Sequence, residues 1–93
     1  MEIAHTITYH PAVVFDDIPR LSTAEKNRVR EAIELKLQTK PELFGKPLRQ
    51  SLRGYRSLRV GDYRVVFRIE KKVVRILLIA HRSVVYHKAG TRT

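Results

Sequence analysis

Arginine carries the chemistry that is most legible in this chain, because its planar guanidinium grips phosphate or carboxylate oxygens through two parallel N–H donors. Arg59, Arg64, Arg68 and Arg75 lie in three β-rich segments separated by two short breaks, Gly61-Asp62 and Lys71-Lys72. If each break is a two-residue turn, strand alternation gathers all four on one face, Arg59 opposite Arg64 and Arg68 opposite Arg75. Like charges set directly opposite each other cost about 0.2 kcal/mol or more. Two such pairs break a local rule in the way expected of a functional surface, here one that receives a polyanion or an acidic partner.

The whole composition agrees. The 93 residues hold 19 Lys+Arg and 9 Asp+Glu, a net charge of +10. Residues 1–42 carry six basic and seven acidic side chains, whereas residues 43–93 carry thirteen basic ones, nine of them arginine, against Asp62 and Glu70 alone. The excess therefore belongs to one part of the molecule. There is no cysteine, which excludes a disulfide framework and thiolate metal sites. His5, His10, His81 and His87 lack metal-ligand spacing, and no Gly-rich loop joins a strand to a helix, so neither a metal nor a nucleotide cofactor is expected. No apolar run approaches the roughly 20 residues of a membrane span, and Met1-Glu2-Ile3-Ala4-His5 lacks the order of a signal peptide. A cytoplasmic protein without membrane contact is expected.

The elements that must position the arginines follow from patterning. Glu2 to Tyr9 alternates as a half-buried strand. Pro11 opens and Pro19 closes a short helix with Val14, Phe15 and Ile18 as its apolar stripe. Ser22 and Glu25 have capping-box spacing, and Val29, Ala32, Ile33 and Leu37 recur at helical spacing until Pro41, with Leu35 off the stripe. After the loop 41–47 come strands over residues 53–60, 63–69 and 73–81. The order β-α-α-β-β-β predicts a single α+β domain over residues 1–93, with two helices on one face of an antiparallel-rich sheet. Leu58, Val60, Tyr63, Val65, Phe67, Ile69, Val74, Ile76, Leu78 and Ala80 are expected on the helix side. The arginine side then also holds Val66, Leu77, Ile79 and His81, an apolar patch that needs a cover, either the C-terminal tail or a partner chain.

Three segments, GKPLR at 45–49, YRSLRVGDYRVVFRI at 55–69 and AHRSVVY at 80–86, resemble the RelE/ParE superfamily of toxins from type II toxin-antitoxin pairs. The resemblance implies a RelE-like fold and one of two activities. RelE-like members are ribosome-dependent endoribonucleases that cut mRNA in the A site, whereas ParE-like members poison DNA gyrase. By position, Arg64, Arg82 and Tyr86 match residues of the RelE site, and Arg59 keeps the charge of one of two strand lysines. Ser57 stands where the other would be, and Arg56 beside it is expected on the opposite face.

On the RelE-like reading, Arg59, Arg64 and Arg82 stabilise the phosphorane formed when a 2′-hydroxyl attacks its own phosphodiester without metal. Tyr86 offers a stacking face or a phenol, and His81 an acid or base, imidazole being the side chain that titrates nearest neutrality. Lys46, Arg49, Arg53, Arg56, Arg68 and Arg75 are expected to bind RNA or ribosome. The expected partners are mRNA, the ribosome and a cognate antitoxin whose acidic or amphipathic segment covers the basic face, the toxin being monomeric alone and hetero-oligomeric with antitoxin. A gyrase-directed toxin without nuclease activity, or a degenerate member that only binds antitoxin, are the alternatives.

Overall fold

The computed structural model describes residues 4–93. Strand β1 (Thr6–Tyr9) leads through a helical segment to helix α1 (Thr23–Ala32), and strands β2 (Lys46–Pro47), β3 (Arg56–Val60), β4 (Tyr63–Glu70), β5 (Val73–His81) and helix α2 (Val85–Arg92) follow. The five strands form one sheet in the order β1-β5-β4-β3-β2, with β1 parallel to β5 and every other pair antiparallel. Glu2 and Ile3 of the expected first strand lie outside the described residues.

The β3–β4 hairpin has the register its two-residue loop dictates: Val60 faces Tyr63, Arg59 faces Arg64, Leu58 faces Val65 and Ser57 faces Val66. Gly61, at φ +60°, supplies the left-handed first residue that a type II′ turn needs. Lys71, at φ +56°, takes the same position in the second turn, and Arg68 faces Arg75 as expected.

Beyond that pair the alternation slips. Phe67 pairs with Ile76 but Val66 pairs with Leu78, so Leu77 is an extra residue in β5, a β-bulge. Past the bulge the two faces of β5 exchange. Ile79 joins the core under α1, while Leu78 and Ala80 pack on the arginine side with Val66, and His81 comes to stand opposite Tyr63. Leu77 lies on the arginine side as expected, and the uniform alternation expected for residues 73–81 is corrected from Leu78 onward.

Two cores result. The larger packs Val13, Val29, Ile33 and Leu37 onto Leu58, Val65, Phe67, Val74, Ile76 and Ile79. The smaller lies on the other face, where Val85 and Ala89 of α2 cover Val66, Leu77, Leu78 and Ala80, with Leu52 beside them. The apolar patch on the arginine face is therefore covered by the C-terminal tail, and helices occupy both faces instead of one.

Local chemistry explains the helices. The Ser22 hydroxyl accepts the Glu25 N–H at 3.1 Å and the Glu25 carboxylate accepts the Ser22 N–H at 2.9 Å, a complete capping box. The first helical segment departs from the expected stripe because Val13–Asp17 forms a wider π-type turn, the Ile18 N–H reaching the Val13 carbonyl. Val13 and Asp17 face inward, and Val14 and Phe15 face solvent. Pro19 does not end the segment; it sits in the 3-10 turn Ile18–Arg20.

Candidate active site

The paired strands place Arg59 directly across from Arg64, and β2 places Lys46 directly across from Ser57, two residues before Arg59 and on the same face. Tyr86, from the first turn of α2, closes over that face. The resulting cleft has a volume of about 540 Å³ and is lined by Lys36, Lys46, Ser57, Arg59, Arg64 and Tyr86, with Gly45 and Leu58. Among the described residues no carboxylate lines it.

The cations differ in how they are held. Nη1 of Arg64 donates to the carbonyls of Gly61 at 3.1 Å and Tyr63 at 2.9 Å, which ties its guanidinium to the hairpin turn. Lys36 lies with Nζ 5.5 Å from the centre of the Phe44 ring, within cation–π reach. Lys46 and Arg59 make no side-chain hydrogen bond or ion pair among the described residues. Beneath them Ser57 is 6% exposed, and its buried hydroxyl has no hydrogen-bond partner among the described residues.

Gly45 sets the entry into β2. Its φ is +87°, and a Cβ there would stand 2.8 Å from the Phe67 ring, so only glycine lets the chain pass this close to the core. Arg56 Nη1 donates to the Gly45 carbonyl at 3.3 Å. Arg56 faces Phe67 and so belongs to the opposite face, as expected.

Arg82 lies outside the cleft, yet the bulge returns it to the arginine side. Ala80 faces Arg64, and the Arg82 N–H continues the ladder to the Asp62 carbonyl at 2.8 Å. Its Nε is 3.9 Å from Asp62 Oδ1. Asp62 thus holds the charge that would otherwise stand free at this end of the hairpin.

His81 is on the α1 side, away from the arginines. It meets the Tyr63 ring edge-on, with centroids 5.6 Å apart, and its Nδ1 accepts the Ser83 N–H at 3.1 Å and lies 2.8 Å from the Ser83 hydroxyl. Desolvation, and then the nearby Glu25 carboxylate, push the Tyr63 phenol up from its ordinary value. The expectation that His81 shares a face with Arg59 and Arg64 fails because Leu77 inverts the alternation.

Arg68 and Arg75 share the arginine face but not the cleft, since Val66 and the α2 contacts intervene. Both pair with Glu70, Arg68 through Nε at 3.2 Å, so one carboxylate offsets the two like charges. Hydrogen bonding from Arg75, with the charges of Arg75 and Arg68, holds the Glu70 carboxyl below its ordinary range. The Arg68 guanidinium also lies 5.8 Å from the centre of the Tyr55 ring. Arg49 and Arg53 are exposed beside the 3-10 turn Gln50–Leu52, away from the cleft.

Sequence patterning does not single out Lys36 or the pairing of Lys46 with Ser57. Lys36 sits beside the buried Leu37 in the wide turn that ends α1, and β2 has two residues, too few to show an alternation.

Known proteins share this architecture. Residues 15–86 match the family described as "ParE toxin of type II toxin-antitoxin system, parDE". The chain is 39% identical over 83 residues to the toxin RelE of Mycobacterium tuberculosis, spanning 84% of this chain and 86% of that one. Among solved structures, the toxin-antitoxin complex RelBE2 of M. tuberculosis superposes with a TM-score of 0.78 at 32% identity, over 86% of this chain and 100% of the other. An archaeal RelE–RelB complex from Pyrococcus horikoshii gives 0.67 at 26% identity, over 86% and 97%.

Proposed function

Since the chain belongs to the ParE toxin family of type II toxin-antitoxin systems, within the RelE/ParE superfamily, we propose that it is a RelE-like endoribonuclease acting on mRNA in the ribosomal A site. It acts in the cytoplasm as one domain, and its partner is a cognate antitoxin. The observation that carries the nuclease reading is the cleft in which Lys46, Arg59, Arg64 and Tyr86 converge with no carboxylate among them.

In that reaction the 2′-oxygen of the substrate attacks the adjacent phosphorus, the bond to the 5′-oxygen breaks, and the products are a 2′,3′-cyclic phosphate and a 5′-hydroxyl. Arg64 and Arg59 stabilise the added negative charge of the phosphorane; a preorganised donor of this kind contributes about 3 kcal/mol. Arg64 is poised for the task because two turn carbonyls already orient its fork. Tyr86 stacks on an unpaired base or offers its phenol to the reacting oxygens. Arg82, on the same side at the strand end, meets the RNA backbone.

The test is ribosome-dependent cleavage. Programmed ribosomes incubated with the protein are expected to yield mRNA cut in the A site, and Arg64→Ala to abolish the cuts. A second reading, a ParE-like toxin that binds gyrase without cutting RNA, draws on the position of His81, which leaves the cleft without an imidazole. Intact mRNA together with blocked gyrase supercoiling would establish that reading instead.

A further inference from the structure

We propose that Lys46 is a substrate-binding residue of the cleft, which with Arg59 clamps one phosphodiester of the RNA strand over Ser57. The inference rests on the nuclease reading and names the contact it makes.

Three observations carry it. First, Lys46 and Ser57 are direct cross-strand neighbours, positions whose Cβ atoms lie about 4.5–5.5 Å apart on one face. Arg59 is the next residue of β3 on that face, so an ammonium and a guanidinium flank one small side chain. Second, these two are the cleft cations that nothing in the described residues engages, whereas Arg64 is held by turn carbonyls and Lys36 by an aromatic ring. Two unpaired like charges facing a cleft without carboxylates repel each other until an anion lies between them.

Third, Ser57 is small and buried, with an unpartnered hydroxyl. A larger side chain at that position would fill the space that the Lys46 stem can lean across. A buried polar group left unpaired is costly, which favours a state in which the cleft's occupant or its water supplies the partner. An edge-strand lysine can also serve only to discourage strand addition. That role needs charge anywhere along the edge, whereas clamping needs it at this register position.

The measurement is affinity for a short single-stranded RNA oligonucleotide across a salt series, with Arg64→Ala and Arg59→Ala as references. Lys46→Ala is expected to weaken binding roughly fivefold at low salt and to reduce the slope of log affinity against log salt by about 0.7, the value of one single-strand phosphate contact. Lys46→Arg should hold both. Moving the lysine across the ladder, in Lys46→Ala/Ser57→Lys, should restore the affinity to within about twofold, since the charge returns to the same place on the face. Retained affinity and slope in Lys46→Ala, with losses in Arg59→Ala and Arg64→Ala, overturn the role of Lys46 and leave the nuclease reading intact. Should the exchanged double variant fail to fold, the contrast between Lys46→Ala and Lys46→Arg decides. Undiminished binding in all three alanine variants removes the nuclease reading itself.

Discussion

The carboxylate of Asp17 and the guanidinium of Arg92, 75 residues apart in sequence, meet as a two-pronged pair, Nη1 to Oδ2 at 2.6 Å and Nη2 to Oδ1 at 3.2 Å. The Asp17 side chain is fully buried and that of Arg92 is 12% exposed. The pair also serves the sheet. The backbone of Ile79 donates to Asp17 Oδ2 at 2.9 Å, and Arg92 Nη1 donates to the Leu77 carbonyl at 3.2 Å. These β5 groups lie past Ile76, the last residue that β1 pairs, so two side chains take over where the neighbouring strand runs out. Val85, Ala89 and Arg92 form one stripe of α2, and the ion pair is its far anchor.

Removing Arg92 therefore strands a buried carboxylate and loosens the helix that carries Tyr86. Arg92→Ala is expected to lower stability by about 3 kcal/mol, read as a shift in the urea midpoint. Amide exchange over residues 85–92 should rise in the same variant. A midpoint unchanged from the parent would show that the apolar contacts of Val85 and Ala89 hold α2 unaided.

His81 and Arg64 should separate cleanly in single-turnover cleavage on ribosomes. Loss of a group acting as general acid or base costs about 10²–10⁴-fold. With its ring against Tyr63 on the other face, His81→Ala is expected to stay within about threefold of the parent, while Arg64→Ala falls by about 10²-fold or more. A hundredfold loss in His81→Ala would mean that the strand end rearranges when substrate binds.

Glu70 gives the protein a pH-dependent increment of stability with a definite sign. Its carboxyl is held low by Arg75 and Arg68, so it binds protons more weakly in the folded state than in the unfolded one. The increment is fully present above the unfolded carboxylate value of about 4.3 and is lost as pH falls through the lower folded value. Urea midpoints of the parent and of Glu70→Gln should differ at pH 7 and converge on acidification. Added salt should narrow the difference, because the group is at the surface. A difference that grows toward low pH would contradict the pairing.

Gly45→Ala tests whether the approach to β2 is built around a missing side chain. The substitution forces a left-handed φ on an L-residue and drives a methyl into the Phe67 ring. A loss of about 2 kcal/mol or more is expected. If the cleft depends on where β2 lies, RNA affinity should fall with it, in a background whose Arg64 is untouched.

The hairpin is legible in the sequence because a two-residue loop leaves no freedom in the count: once Gly61-Asp62 is a turn, Arg59 must face Arg64. The capping box is equally local. What escapes a reading of the sequence is non-local or unmarked. Leu77, Leu78, Ile79 and Ala80 are all apolar, so no polar residue betrays the slip that sends Ile79 to one core and Leu78 to the other. Helix α2 has two buried apolar anchors, and its third, Arg92, reads as a tail charge until Asp17 is seen beneath it. The convergence of Lys46 on Ser57 depends on a two-residue strand delivered by a close-packed glycine.

The supernumerary residue at Leu77 also divides β5 into an odd half and an even half. Arg75 and Arg82 are seven positions apart, a separation that sends two side chains to opposite sides of a regular strand, yet here both belong to the arginine side. One continuous strand thus upholsters both layers of the protein without bending back on itself. The same arithmetic makes the bulge, not the length of the strand, decide which side chains meet. Were β5 to pair without its extra residue looped out, His81 would turn toward the arginines and Arg82 away, whereas deleting that residue leaves Arg75 and Arg82 an even six positions apart and both on the arginine side.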